Sequence, residues 1–163
     1  MLPGAQIIVS HARTAIYPRI MEVPTGSNDG PALRRFLANT GFQPGDSYCM
    51  FFALACLLAY FRDPHQLPES VGYSGSCQMQ YEHAKSVNHI SEYAATGAIF
   101  LLANNAGHYH HAGIVTGVIK PTMLRPYPVV QTVEGNTGSH PGLPAVGCYE
   151  RERKESDLEY IIW

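Results

Sequence analysis

The chain of 163 residues is long enough for one domain with a substantial core, since about 150 residues bury roughly 68–70% of the surface their unfolded chain exposes. With 45% apolar and 15% charged residues it is a globular sequence, which excludes a disordered polyelectrolyte. The formal net charge is −2 and the only dense charge run, Glu150-Arg151-Glu152-Arg153-Lys154-Glu155, alternates in sign. It reads as a solvated strand or turn, so no nucleic-acid partner is expected.

The first 25 residues have neither a basic n-region nor a continuous apolar h-region, so residues 1–27 read as an N-terminal extension rather than a signal peptide. The chain is therefore expected to be made in the cytoplasm. Ser27-Asn28-Asp29-Gly30-Pro31 then supplies helix-start residues, Leu33, Phe36 and Leu37 follow at helical spacing, and Gly41 supplies the stop. A loop, Gln43 to Ser47, leads into an apolar run from Tyr48 or Cys49 to Phe61 that Asp63-Pro64 terminates. This run is too short to span a bilayer and predicts a buried core helix. A third, weaker helix is predicted from Cys77 to about Ser86.

After residue 95 the texture changes. Gly97–Leu102, Ala112–Ile119, Val129–Glu134, Val146–Arg151 and Tyr160–Trp163 read as strands joined by Gly, Pro and Asn loops. Helices followed by strands predict an α+β domain, with a helical part over 28–95 and an antiparallel sheet over 96–163.

The four cysteines, Cys49, Cys56, Cys77 and Cys148, contain no Cys-x-x-Cys pattern and are expected to be reduced. Cys49 differs from the rest because it opens the apolar helix behind a Gly-Asp-Ser-Tyr loop. A helix N-terminus carries about half a positive charge, which favours thiolate, and its free N–H groups can hold an oxyanion. Cys77 also opens a helix behind a Gly/Ser loop and shares some of this logic. Cys56 and Cys148 read as core.

A thiol nucleophile needs a fixed base. In His108-Tyr109-His110-His111, His111 opens a predicted strand while His108 and His110 lie in the preceding turn. Zinc requires three or four ligands, and neither carboxylate nor cysteine adjoins this cluster, so no metal is expected. Glu134 and Asn136 stand two apart at the end of the next strand. They would share a face if the strand continues, where a carboxylate or amide can fix the tautomer of a histidine. Either group alone fits an ordinary strand end. The order of cysteine at a helix start, histidine at a strand start and polar residue on the next strand is what gives them weight.

Four segments carry a resemblance: Asn28-Asp29-Gly30 through Tyr48-Cys49-Met50-Phe51-Phe52, Thr96-Gly97-Ala98-Ile99-Phe100, His111-Ala112-Gly113-Ile114-Val115, and Glu134-Gly135-Asn136-Thr137. In this order they resemble the CHAP amidase/peptidase families of papain-like cell-wall hydrolases, which include phage endolysins. The resemblance spans about residues 28 to 163. It departs at Tyr48, where tryptophan is common, and at Ala98, where aspartate is frequent. It has no clear counterpart to the acidic calcium loop of some members, and no attached cell-wall-binding domain is expected.

The resemblance implies a papain-like fold in one domain, with Cys49 as nucleophile, His111 as base, Glu134 as orienter and Asn136 as further support. The neighbours Tyr48 and His110 are expected to contact substrate. It implies an amide bond of peptidoglycan peptide as substrate, no cofactor, and a monomer that acts in the periplasm or on the cell wall after delivery or lysis. A papain-like protease or transferase on proteins is the alternative. An interbacterial effector toxin, with an immunity protein and secretion machinery as partners, would use the same chemistry.

Overall fold

A computed structural model of the chain describes residues 2–138 and 146–163. Among these residues the fold is mixed α+β. Four α-helices pack with a six-stranded antiparallel sheet. The helices are α1 (Ala5–Thr14), α2 (Pro31–Phe36), α3 (Cys49–Phe61) and α4 (Cys77–Ser86). The strands are β1 (Ile90–Ser91), β2 (Ile99–Ala103), β3 (Tyr109–Ile119), β4 (Val129–Thr137), β5 (Gly147–Lys154) and β6 (Glu159–Ile161), in the spatial order β1-β6-β2-β3-β4-β5. None of the described helices is long and apolar enough to cross a membrane.

The central helix, α3, starts and ends where the apolar run does. Its residues Met50, Phe52, Ala53, Leu54, Cys56 and Leu57 are fully buried. Arg62 closes it in a left-handed conformation (φ 65°), its N–H donating to the Leu58 carbonyl. A helix apolar on nearly all sides belongs inside a domain, and α3 is covered by α1 on one side and the sheet on the other.

Two helical expectations need correction. The stretch read as an N-terminal extension holds α1, which buries Ala5, Ile8, Val9 and Ala12 at helical spacing against the core. The helix expected to reach Gly41 ends at Phe36. The chain then turns through Asn39 and Gly41, both at positive φ, and the Thr40 hydroxyl donates to the Leu37 carbonyl at 2.7 Å. Its N-cap is Gly30, with no side-chain cap. Asp29 binds Arg34 instead, at 2.6 Å.

Each sheet face supports its own core. Ile99, Leu101, Ala112, Ile114 and Val133 face the helices in the larger cluster. Phe100, Val115, Val130 and Tyr160 alternate with them and form a second, smaller cluster with Ala98 and Leu158.

Three register shifts shape the sheet. Leu102 pairs with His111 and Ala103 with Tyr109, so His110 is an extra residue on β3. Thr116 is extra on β3 opposite β4. A third bulge lies on β4 between Glu134 and Thr137, with Asn136 at φ 54°. Such bulges bend a strand and re-aim the side chains beside them. The first and third flank the two ends of the candidate site.

Candidate active site

Cys49 is the first residue of α3 and only 4% exposed. The N-cap residue, Tyr48, supplies no side-chain cap, and no acidic residue stands in the first turn. Neither a side-chain acceptor nor a competing carboxylate therefore occupies the positive end of the helix. The Cys49 sulfur lies 3.9 Å from the carbonyl oxygen of His110, the bulged residue, and 3.7 Å from the Cys77 sulfur. The Ala112 N–H and the His111 ring stand beside it and favour its charged form.

The His111 ring sits between sulfur and carboxylate. Its Nε2 is 2.8 Å from Glu134 Oε2, which leaves Nδ1 as the nitrogen for Cys49. The ring packs near Phe100, centroids 5.9 Å apart. His111 is the third residue of β3 rather than its opening residue, because β3 begins at Tyr109 and holds His110 as its bulge. The expectation of a preceding turn at His110 is thus corrected. Its side chain is exposed while its carbonyl faces the thiol.

Glu134 is wholly buried and fully partnered. Arg153 grips it with two hydrogen bonds, Nε to Oε1 and Nη2 to Oε2, each 2.6 Å, and the Thr132 hydroxyl donates to Oε1 at 2.6 Å. A buried carboxylate is stable only when partnered in this way. The guanidinium also lies over the Phe100 ring, 5.4 Å from its centroid. Arg153 belongs to the run read from sequence as solvated. Strand alternation instead turns it inward, opposite Val130 and on the face of Thr132 and Glu134.

Two glycines make room for this arrangement. A Cβ at Gly113 would stand 2.7 Å from the Phe100 ring and from the Val133 carbonyl, and 3.1 Å from the Glu134 stem. A Cβ at Gly135 would meet the Phe52 side chain of α3 at 2.7 Å. Gly113 therefore admits Glu134 beside His111, and Gly135 lets the helix bearing Cys49 approach the strand bearing Glu134.

The charges follow from these contacts. Cys49 is held well below the ordinary thiol range, chiefly by the hydrogen bond from Cys77. Burial acts against this, and the hydrogen bond and charge of His111 add to it. Burial opposes a charge on His111, but its bonds to Cys49 and Glu134 outweigh burial and push it up to about 9. Burial likewise opposes ionisation of Glu134, and Arg153 and His111 overcome it, bringing the carboxyl down to about 2. At neutral pH the arrangement is a thiolate, an imidazolium and a carboxylate in a row.

Two further sequence expectations are corrected. Tyr48 does not face a substrate. It is fully buried, and its hydroxyl donates to Glu22 Oε1 at 3.2 Å. The Asn136 side chain makes no hydrogen bond to His111 among the described residues, because the β4 bulge breaks the alternation that would have put it on the face of Glu134. Among the described residues no cluster of three or more His, Cys, Asp or Glu has a geometry able to hold a metal ion.

Sequence reasoning missed Arg153 and Thr132. The period of two in Glu150–Lys154 was the signal available for Arg153. Thr132 offered a weaker one, a hydroxyl two residues before Glu134 on the same strand. Comparison with protein families, with characterised proteins and with solved structures finds no match to this chain.

Proposed function

We propose that the protein is a papain-like cysteine hydrolase that cleaves an amide bond in the peptide part of bacterial cell wall. The observation that carries the reading is the His111–Glu134 hydrogen bond, with the His111 ring beside the sulfur of Cys49 at the opening of α3. The choice of cell-wall peptide rests on the sequence resemblance to CHAP amidases and peptidases.

In this reading the Cys49 thiolate attacks the scissile carbonyl carbon. The backbone N–H groups that open α3 receive the developing oxyanion. His111, protonated and held by Glu134, gives its proton to the leaving amine as the tetrahedral intermediate collapses to a thioester. It then takes a proton from water, which attacks the thioester and frees Cys49. Glu134 keeps the ring oriented and stabilises the imidazolium. Arg153 keeps Glu134 ionised and in place. Acting on peptidoglycan would place the protein in the periplasm or at the cell wall.

Digestion of purified peptidoglycan, followed by mass analysis of the soluble fragments, tests the substrate. Release of stem peptides or of cut cross-links supports the reading and identifies the bond. Intact sacculi together with cleavage of a protein-derived peptide library would replace it with the protease alternative.

A further inference from the structure

The mechanism above leaves Cys77 without a covalent role. Its position calls for one, because two helix N-termini are brought tip to tip. Cys77 is the first residue of α4, as Cys49 is of α3, and their sulfurs are 3.7 Å apart, both nearly buried. Several contacts fix this approach. Gly75 lies directly against the Phe51 ring in the first turn of α3, where any side chain would collide. The Ser76 hydroxyl caps α4 at the Met79 N–H. Gln78 accepts from the Tyr109 N–H at 2.9 Å, tying the start of α4 to the start of β3. Gln80, fully buried, donates to the Ser74 carbonyl at 2.9 Å and so anchors the preceding loop. The other cysteines differ. Cys56 and Cys148 lie in the core, and among the described residues neither sulfur hydrogen-bonds to another.

We propose that Cys49 and Cys77 form a reversible oxidation site, in which Cys77 resolves an oxidised Cys49 as an intramolecular disulfide that switches the nucleophile off. The inference rests on Cys49 being the reactive thiol of the proposed hydrolase. The oxidant is hydrogen peroxide. The Cys49 thiolate attacks one peroxide oxygen, the O–O bond breaks, and the departing hydroxide takes a proton from the His111 imidazolium. The products are a sulfenic acid and water. The Cys77 sulfur then attacks the Cys49 sulfur, the S–O bond breaks, and hydroxide leaves with the Cys77 proton as a second water. The two thiols lose two electrons and two protons, and the peroxide is reduced to two waters. The sulfurs have only to close from 3.7 Å to the disulfide length of about 2.0 Å. A nearby resolving thiol also intercepts the sulfenic acid before it reaches the irreversible sulfinic and sulfonic states.

The test uses the whole protein and hydrogen peroxide, with iodoacetamide trapping and peptide mass mapping, so it does not depend on hydrolase activity. The expected result is a linked Cys49–Cys77 peptide two hydrogens lighter than the reduced pair. Cys49 alkylation falls to background and dithiothreitol restores it. In Cys77→Ser the same treatment drives Cys49 to sulfinic and sulfonic acids that dithiothreitol does not reverse. Overoxidised Cys49 in the wild type without a linked peptide overturns the proposal, as does a disulfide joining other cysteines. Fast alkylation of Cys49 with no disulfide overturns it while leaving the nucleophile assignment standing. A Cys49 that neither oxidises nor alkylates faster than Cys56 overturns both.

Discussion

His111 and Glu134, 23 residues apart in sequence, meet through a 2.8 Å hydrogen bond between Nε2 and Oε2. The carboxylate is sealed from solvent and held at both oxygens by Arg153, so the orientation of the ring is set by a residue that never touches the thiol. The Arg153 side chain is 22% exposed and that of Glu134 0%, which makes this closer to a buried ion pair than to a surface one. Removing one partner of a buried pair costs about 3–5 kcal/mol. Arg153→Ala should therefore lower the urea unfolding free energy by an amount at the upper end of single-residue effects and slow iodoacetamide labelling of Cys49. Arg153→Lys keeps the charge but loses the two-pronged grip, and should fall between. Wild-type behaviour in Arg153→Ala would remove the residue from the support of Glu134.

Gly113 is the position at which a methyl group does the most damage for its size. A Cβ would meet the Phe100 ring, the Val133 carbonyl and the Glu134 stem together; the ring is fully buried and the carbonyl is strand backbone. Overpacking of this kind costs about 1–3 kcal/mol. Gly113→Ala should lower thermal stability accordingly and depress hydrolysis more than stability, since the shift falls on Glu134. Equal activity per folded molecule would contradict this.

The pH dependence follows from opposed shifts. The thiolate–imidazolium pair exists above the depressed value of Cys49 and below the His111 value of about 9. Alkylation of Cys49 should already be fast well below the ordinary thiol range of about 8.5, and hydrolysis should fall as pH rises through about 9. His111→Ala should return the alkylation midpoint toward an ordinary thiol. Stability carries the same signs. The His111 contribution is fully present below 6.5 and is lost as pH rises through about 9. The Glu134 contribution is present above 4.5 and is lost as pH falls toward about 2. The Cys49 contribution has the opposite sign to that of His111: it is lost as pH falls through the lowered Cys49 value, so the two offset each other toward alkaline pH. The urea midpoint should therefore fall chiefly on the acid side, where Glu134→Gln should flatten it.

Asn136 provides the contrast. Its left-handed backbone (φ 54°) suits asparagine or glycine, and its side chain does not reach His111. Asn136→Gly should keep nearly full activity, with peptide-release rates as the readout. A loss comparable to that of Glu134→Gln would return Asn136 to the catalytic group.

Much of this was legible in the sequence because it depends on local pattern. The apolar run from Cys49 to Phe61 can only be a buried helix, and the β-branched run after His111 only a strand. Helix α1 was missed: Ala5, Ile8, Val9 and Ala12 stand at helical spacing, but the β-branched Ile-Ile-Val within it obscures the helix. The bulges at His110 and after Glu134 were not legible. A one-residue shift between strands is set by cross-strand packing, and these shifts decide that Glu134 rather than Asn136 faces the ring. Arg153 was hidden for the same reason, since whether an alternating charge run is solvated depends on what its inward face meets.

Cys49 as the nucleophile is tested by comparing two proteins. Soluble peptide release from purified peptidoglycan is followed for the wild type and for Cys49→Ala, both checked for folding by circular dichroism. The wild type should release peptide, and the folded variant none above background. Release by folded Cys49→Ala at the wild-type rate would contradict the assignment of Cys49 as nucleophile.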